Sequence, residues 1–309
     1  MLVSFYRPTS VKYRIVMEAG AFPSDQYAIK SQLHYHGLNV QDALIELHPR
    51  EGENTLRTED ITACIEKDAD SIALVILSGV NYYTGQLYNI RHITAAARKH
   101  NIPVGFDLAH AAGNVKLQLH DSDVDFAVWC GYKYLNSGPG GIAGCFVHER
   151  HASDTDLPRF AGWWGHNKET RFLMGPEFSP MKGAEGWQLS NAPVLAMASL
   201  NASLSIFDEA GMEQITAKSR TLTGYLEYLL QTIENRNISI ITPADPDQRG
   251  AQLSIRIKNS DKSLFNQLIK EGVICDWREP DVIRVAPAPL YNSFLDVFQF
   301  VQLLKKCLS

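Results

Sequence analysis

Two short apolar runs near the middle of the chain each end close to a chemically active side chain. Residues 103–106 predict a buried strand that leads into Asp107, and residues 124–129 predict a second strand that leads towards Lys133. In an open α/β sheet, ligands bind outside the carboxyl ends of the strands. We therefore expect Asp107 and Lys133 to lie at one edge of a sheet, where the chemistry takes place.

Lys133 stands between two tyrosines, Tyr132 and Tyr134, directly after an apolar strand. A lysine is almost never buried unless its amine is neutralised or used. Taken singly, Lys133 could extend to the surface and Asp107 could cap the following helix. Taken together, they match the needs of pyridoxal phosphate (PLP) enzymes, in which a lysine forms a Schiff base and an acid pairs with the protonated pyridine nitrogen.

The rest of the chain predicts an α/β protein with two domains. Residues 71–77, 90–100 and 103–106 alternate as strand, helix and strand, which is typical of a mostly parallel sheet. Two long amphipathic helices follow and lead into shorter strands and helices. We predict a large domain over residues 1–190 and a smaller C-terminal α+β domain over residues 191–309.

Two local predictions concern the beginning of the chain. Residues 2–6 suggest a strand, because they are apolar and aromatic. Ser24 or Asp25 is expected to cap a helix that runs through Ile29 and Leu33 and stops at Gly37.

Composition excludes several classes of partner. A net charge of -5 argues against nucleic acid, and the sequence has no apolar window as long as a membrane span. Five well-separated cysteines without a C-x-x-C pair argue against a disulfide framework and fit a reducing cytosol. No metal site is expected, because His34 and His36 would diverge by about 200 degrees on a helix.

The chain also resembles the kynureninase family, PLP enzymes of fold type I in the aspartate aminotransferase superfamily. The stretches FDLAHA, WCGYKYLN and GGIAG carry this resemblance, which continues through AFPSD, LSGVNYYTGQ, GWWGH, LSN and IRVAPAPLYNSF in the same order. It implies PLP-dependent hydrolysis of L-kynurenine or 3-hydroxy-L-kynurenine to anthranilate or 3-hydroxyanthranilate and L-alanine, in tryptophan catabolism and NAD biosynthesis. It also implies a cytosolic homodimer with active sites shared between subunits.

The resemblance assigns roles to individual residues. Lys133 would bind the cofactor and shuttle protons, and Asp107 would keep the pyridine nitrogen protonated. Tyr132 would bind the phosphate or act as acid–base near the γ-carbonyl, and Arg284 would bind the substrate carboxylate, which suits its planar guanidinium. Further cofactor contacts are implied for Phe22, Pro23, Ser24, Asp25, Ser78, His110, Trp163 and Asn191, and substrate contacts for Trp164 and Asn191.

Simpler interpretations remain open for several of these residues. Phe22 could be an ordinary core aromatic, and Ser78 could belong only to a turn with Gly79. Asn191 could cap the helix that follows it. Arg284, which points opposite to its two apolar neighbours on a strand, could face solvent.

Two other functions also remain open. A class V aminotransferase or a cysteine desulfurase would share the Asp and Lys, although not GWWGH or IRVAPAPLYNSF. A desulfurase also needs a mobile cysteine, for which Cys130 and Cys145, inside predicted strands, are poor candidates.

The kynureninase family carries a further region before the equivalent of Met1, including a phosphate-holding loop and a substrate-contacting histidine. If this chain lacks that region, it would be a natural short form, a truncated gene model or a cloned fragment. Such a chain is expected to be weakly active, or inactive and only a dimerisation partner.

Overall fold

Six strands form a sheet whose carboxyl-end edge carries Asp107. The structure is a computed structural model that describes residues 1–258 and 261–308. The strand order is β2-β1-β3-β4-β5-β6, in which all neighbours are parallel except the antiparallel pair β5 and β6. The strands are β1 (Arg14–Glu18), β2 (Leu44–Leu47), β3 (Ile72–Ser78), β4 (Val104–Asp107), β5 (Phe126–Cys130) and β6 (Ala143–Val147). The predicted mostly parallel α/β sheet is confirmed.

Both faces of this large sheet are covered, as expected for parallel strands. Along β3, Val75 and Leu77 belong to one core, whereas Leu74 lies in the core on the opposite face. This separation follows from the two-residue period of a strand. The flanking helices are α1 (Leu2–Phe5), α2 (Pro23–Tyr35), α3 (Val40–Ala43), α4 (Thr58–Lys67) and α5 (Ile90–Arg98).

A second, antiparallel sheet is formed by the C-terminal part of the chain, in the order β7-β8-β10-β9. Leu226, Ile255, Ile283 and Val301 belong to the core between this small sheet and its helices. The elements are α6 (Val194–Ala210), α7 (Met212–Gln231), β7 (Ile238–Ile240), β8 (Leu253–Ile257), α8 (Ser263–Lys270), β9 (Asp276–Arg278), β10 (Val282–Val285) and α9 (Phe294–Leu308). The domain boundary near residue 190 stays a prediction.

Three consecutive backbone carbonyls of the large unit are bound by side chains of the small unit. The carbonyls of residues 82, 83 and 84 accept hydrogen bonds from Gln252, Ser254 and Thr242 at 3.1, 2.5 and 2.6 Å. All three donors are buried. Because buried polar groups are costly to leave unpaired, these bonds fix the small sheet against the edge of the large one.

Two local predictions are wrong. Residues 2–5 form a helical turn rather than a strand, held by Phe5 stacking on Phe126 and by Trp187 donating to Ser4 at 2.9 Å. These tertiary contacts outweigh the local β-propensity. The N-cap position of helix α2 is Phe22 rather than Ser24 or Asp25, and no side chain caps the helix. Pro23 occupies the first turn, where its missing N–H costs nothing.

Within the described residues, no helix is both long enough and apolar enough to cross a membrane.

Candidate active site

Three polar side chains end consecutive strands of the large sheet. Glu18 ends β1, Ser78 ends β3 and Asp107 ends β4, and Ser78 and Asp107 are paired directly in the register of the sheet. Lys133 follows the end of β5 by three residues. These ends of parallel strands form the edge at which the sequence places the chemistry.

Asp25 and Asp107 form a carboxyl pair at this edge. Their side chains are hydrogen-bonded to each other, and Asp107 also accepts from the backbone N–H of Ala109 at 2.7 Å. Burial, followed by the negative charge of Asp107, raises the pKa of Asp25 to about 8. At neutral pH Asp25 therefore carries a proton, which it donates to the Asp107 carboxylate.

This pair gives the protein a specific pH dependence of stability. An unfolded Asp25 loses its proton near the ordinary pKa of 3.8, whereas the folded chain holds it to about pH 8. Between these two pH values the folded state binds more protons than the unfolded state. The resulting stabilisation is therefore fully present below about pH 3.8 and is lost as the pH rises from there through about 8. In the cofactor-free protein, Asp25→Asn should flatten this decline.

Denaturant unfolding across the pH range would measure the effect, with Asp70→Asn as the control because Asp70 is exposed. Identical pH profiles for the wild type and Asp25→Asn would contradict the assignment of the shared proton.

Glu18 is a third carboxyl group whose charge acts on Asp25, and only 3% of its surface is exposed. The backbone N–H of Ser78 donates to it at 3.2 Å, and the Ser78 hydroxyl donates to the same carboxyl group. Burial raises the pKa of Glu18. The Ser78 hydroxyl proton is thus already used within the protein, whereas its lone pairs are available to another donor.

The amine of Lys133 lies over the ring of Phe22, with Nζ 5.6 Å from the ring centroid. The Lys133 charge also acts to lower the pKa of Asp25, so the two groups face the same space. Phe22 is 38% exposed and meets the edge of Tyr82 at 5.3 Å between centroids. It is therefore a wall of the site rather than the core residue of the simpler interpretation. Pro23 and Ser24 are exposed in the first turn of α2.

His110 has a buried ring nitrogen without a partner. Among the described residues, no group is hydrogen-bonded to its Nδ1 atom. Burial, followed by the positive charges of Lys133, Arg284 and Arg278, lowers the pKa of His110 to about 3. The neutral imidazole therefore offers a buried polar atom that only a bound ligand or water could satisfy.

Tyr132 stands at the mouth of this space, where 53% of its surface is exposed. Its hydroxyl is hydrogen-bonded to the thiol of Cys130, and the charge of that group raises the pKa of Tyr132. Cys130 and Cys145 lie in β5 and β6, as predicted. Neither strand position gives the mobility that a desulfurase cysteine needs.

Arg284 reaches the site from the small sheet and is 9% exposed, so the solvent-facing alternative is wrong. Its Nε donates to Asp276 Oδ1 at 2.7 Å, and its Nη2 donates to Asp276 Oδ2. Its Nη1 donates to the carbonyl oxygen of Tyr82 at 2.5 Å. Arg284 thus lies beside Tyr82, which contacts Phe22, and its charge reaches His110.

Trp163, Trp164 and Asn191 lie in the connection between the two units. Trp163 donates to the carbonyl of Arg171 at 3.4 Å, and Trp164 stacks on the Arg171 guanidinium at 4.5 Å. Asn191 is exposed, and helix α6 is capped by Pro193, so the capping alternative for Asn191 is wrong. These contacts place the two tryptophans in a local cluster with Arg171.

Sequence reasoning missed Glu18, Tyr82 and Asp276. Glu18 follows the apolar run IVM just as Asp107 follows an apolar run, so the same signal was available. Asp276 lies opposite Arg284 only because β9 and β10 pair in antiparallel register. No local pattern in the sequence specifies that register.

Comparison with known proteins decides the family. A model of the kynureninase C-terminal domain matches residues 215–304. The kynureninase of Myxococcus xanthus is 58% identical over 305 residues, which cover 99% of this chain and 72% of that protein. The chain belongs to the kynureninase family. The kynureninase of Nematostella vectensis is 54% identical over an alignment that covers 98% of this chain and 68% of that protein.

Solved structures share the fold of this kynureninase family member. The apo cysteine desulfurase of Thermococcus onnurineus NA1 has a TM-score of 0.79 at 16% identity, covering 98% of this chain and 74% of that one. A C-DES mutant with glycine covalently linked to its PLP cofactor has a TM-score of 0.80 at 16% identity, covering 98% and 77%. The predicted type I fold of the PLP-dependent enzymes is confirmed.

Proposed function

We propose that this chain binds PLP and hydrolyses L-kynurenine or 3-hydroxy-L-kynurenine to anthranilate or 3-hydroxyanthranilate and L-alanine. One observation supports this most strongly. In a member of the kynureninase family, Lys133, the Asp25–Asp107 pair and the unpartnered nitrogen of His110 meet at one sheet edge. The reaction would belong to tryptophan catabolism and NAD biosynthesis, in the cytosol.

The residues at this edge fit PLP chemically. The pyridinium N–H of the cofactor needs an anionic acceptor, and the Asp107 carboxylate already accepts a proton from Asp25. The buried nitrogen of His110 needs a polar partner, which a cofactor substituent would supply. Phe22 offers an aromatic face beside the Lys133 amine. Ser78 offers the lone pairs of its hydroxyl to a donor group of the cofactor, and Tyr132 offers a hydroxyl group either for the phosphate or for the substrate carbonyl.

Each residue then has a stated task. PLP, when bound, supplies a protonated ring that withdraws electrons from the carbon next to the substrate's amino group. Lys133 would hold the cofactor through Nζ and would afterwards hold or move a proton there. The carboxylate of Asp107 would keep the ring nitrogen protonated. Asp25 would donate a hydrogen bond to that carboxylate, and Glu18 would hold the Ser78 hydroxyl.

The hydrolytic step consumes one water molecule. The water adds to the γ-carbonyl carbon of the substrate, and the bond between Cβ and Cγ breaks. The aryl fragment leaves as a carboxylic acid, and Cβ gains a proton to give L-alanine. The Tyr132 hydroxyl, which lies at the exposed mouth of the site, would hold or release a proton at that carbonyl oxygen.

Arg284 would bind the substrate carboxylate, with Trp164 and Asn191 contributing further substrate contacts. Arg284→Lys should raise KM for kynurenine roughly ten- to a hundredfold while changing PLP affinity little, because lysine keeps the charge but loses the planar fork. Steady-state kinetics and cofactor titration would measure the two effects. Equal losses in both quantities would make Arg284 a structural residue instead.

A homodimer would complete the site with Trp163 and Asn191 of the second subunit. Helix α6 follows Asn191, and Val194, Leu195 and Ile206 on this helix are 75%, 90% and 54% exposed. Exposed apolar patches of this kind mark protein–protein interfaces. The two domains, residues 1–190 and 191–309, would meet the partner near this helix.

Leu195→Asp should convert a dimer to a monomer, because it would place a charge in the apolar contact. Sedimentation velocity would measure the change. Ile274→Asp is the matched control, since Ile274 is 99% exposed in the connection between α8 and β9 of the small unit. A dimer that persists with Leu195→Asp, or that is lost equally with both variants, would contradict this interface.

The proposed reaction is tested by loading the 309-residue chain with PLP and supplying L-kynurenine. Equal amounts of anthranilate and L-alanine are expected. Release of sulfur from L-cysteine without cleavage of kynurenine would indicate a desulfurase, and transfer of the amino group to a keto acid would indicate an aminotransferase.

A further inference from the structure

Asp276 is paired with the guanidinium of Arg284 across two strands. Asp276 lies on the edge strand β9, directly opposite Arg284 on β10. Both carboxylate oxygens are used, one by Nε at 2.7 Å and the other by Nη2. This contact occupies one edge of the planar guanidinium as a bidentate pair.

Two of the five N–H groups of Arg284 are available to a ligand. A guanidinium has five N–H groups in a fixed fork. Asp276 takes two of them and the carbonyl of Tyr82 takes a third. Among the described residues, one N–H on each terminal nitrogen has no partner, so each terminal nitrogen can still donate to a second carboxylate. Because the guanidinium is held at one edge and at Nη1, it cannot rotate without breaking bonds to Asp276 and Tyr82.

The charges nearby favour an anion despite the carboxylate of Asp276. Arg278 Nη2 also donates to Asp276 Oδ2, at 3.2 Å. The Arg284–Asp276–Arg278 cluster therefore carries two positive charges and one negative charge. Both arginines act on His110, whose pKa they lower, so the excess positive charge is directed towards the site.

We propose that Asp276 is a positioning residue for substrate recognition, which holds Arg284 so that its terminal edge receives the α-carboxylate of an amino acid. This inference rests on the proposed function, in which Arg284 binds the substrate. Arg278 keeps the cluster cationic when the carboxylate arrives. Asp276 itself touches neither the substrate nor the cofactor.

The test is equilibrium binding of L-alanine and L-kynurenine to PLP-loaded protein, measured by calorimetry. Asp276→Asn should weaken both roughly tenfold or more, because the amide nitrogen would face the Nη2 donor of Arg284 and break the bidentate pair. Binding of the amine that corresponds to kynurenine without its carboxylate should change little. Glu279→Gln is the matched control, since Glu279 is an exposed carboxylate beyond the same strand.

A double-mutant cycle separates positioning from general structure. If Asp276 acts through Arg284, Asp276→Asn should have almost no further effect in the Arg284→Lys background. In steady state, Asp276→Asn should raise KM for kynurenine with a much smaller change in kcat. Thermal melting would show that each variant is folded.

Three results would overturn the inference. Unchanged binding would show that Arg284 needs no support from Asp276, and tighter binding would show that Asp276 blocks the site. Equal weakening for the amine without the carboxylate would make Asp276 structural. A wild-type chain that binds the amino acids but does not cleave kynurenine would contradict the proposed function and would leave the binding test of Asp276 intact.

Discussion

Replacing Lys133 by alanine should abolish both the absorbance band of lysine-bound PLP and the hydrolysis of kynurenine. Lys133 is the lysine at the sheet edge, with Nζ 5.6 Å from the Phe22 ring centroid and its charge acting on Asp25. Loss of a positioned proton-transfer group alone costs about 10²- to 10⁴-fold in rate, and loss of the covalent attachment adds to this. The rate should therefore fall by at least roughly three orders of magnitude.

Absorbance spectra and single-turnover kinetics would measure these losses. Lys67→Ala on helix α4 is the control, because Lys67 is exposed in the last turn of that helix. Lys133→Ala should also raise the pKa of Asp25 further, since the Lys133 charge lowers it in the wild type. A Lys133→Ala variant that keeps the absorbance band would mean that another lysine binds the cofactor.

Asp107→Asn should leave the cofactor attached to Lys133 but lower the rate of hydrolysis by roughly 10²- to 10⁴-fold. An amide cannot hold the pyridine nitrogen protonated, and the ring then withdraws electrons poorly. Asp25→Asn should lower the rate of hydrolysis much less. Because the pKa of Asp25 is raised to about 8, this residue is already neutral at pH 7, and an asparagine amide resembles its protonated form.

The contrast between these two variants is the informative measurement. Initial rates and PLP titrations at neutral pH would give the effect on chemistry and on cofactor affinity separately. Near-normal turnover with Asp107→Asn would show that another acid pairs with the ring. A larger loss with Asp25→Asn than with Asp107→Asn would reverse the assignment of the shared proton.

The sequence by itself specified several of the buried strands and the identities of the main reactive groups. Buried parallel strands have continuous apolar runs, so residues 103–106 and 71–77 could be assigned before the fold was known. Asp107 and Lys133 follow such runs, and the carboxyl ends of parallel strands meet at one edge. The capping box of Ser293 and Asp296 is equally local: the Ser293 N–H donates to the Asp296 carboxylate at 2.7 Å, and the Asp296 N–H donates to the Ser293 hydroxyl at 3.2 Å.

Tertiary structure alone decided how these groups affect one another. The turn at residues 2–5 became helical because Phe5 stacks on Phe126, a contact across more than a hundred residues. The proton shared by Asp25 and Asp107 depends on burial and on a distance that no spacing in the chain encodes. Arg284 is held by Asp276 because an antiparallel register places them opposite each other. Local patterns specify period and burial, whereas charge coupling depends on distances between distant parts of the chain, which only the folded structure sets.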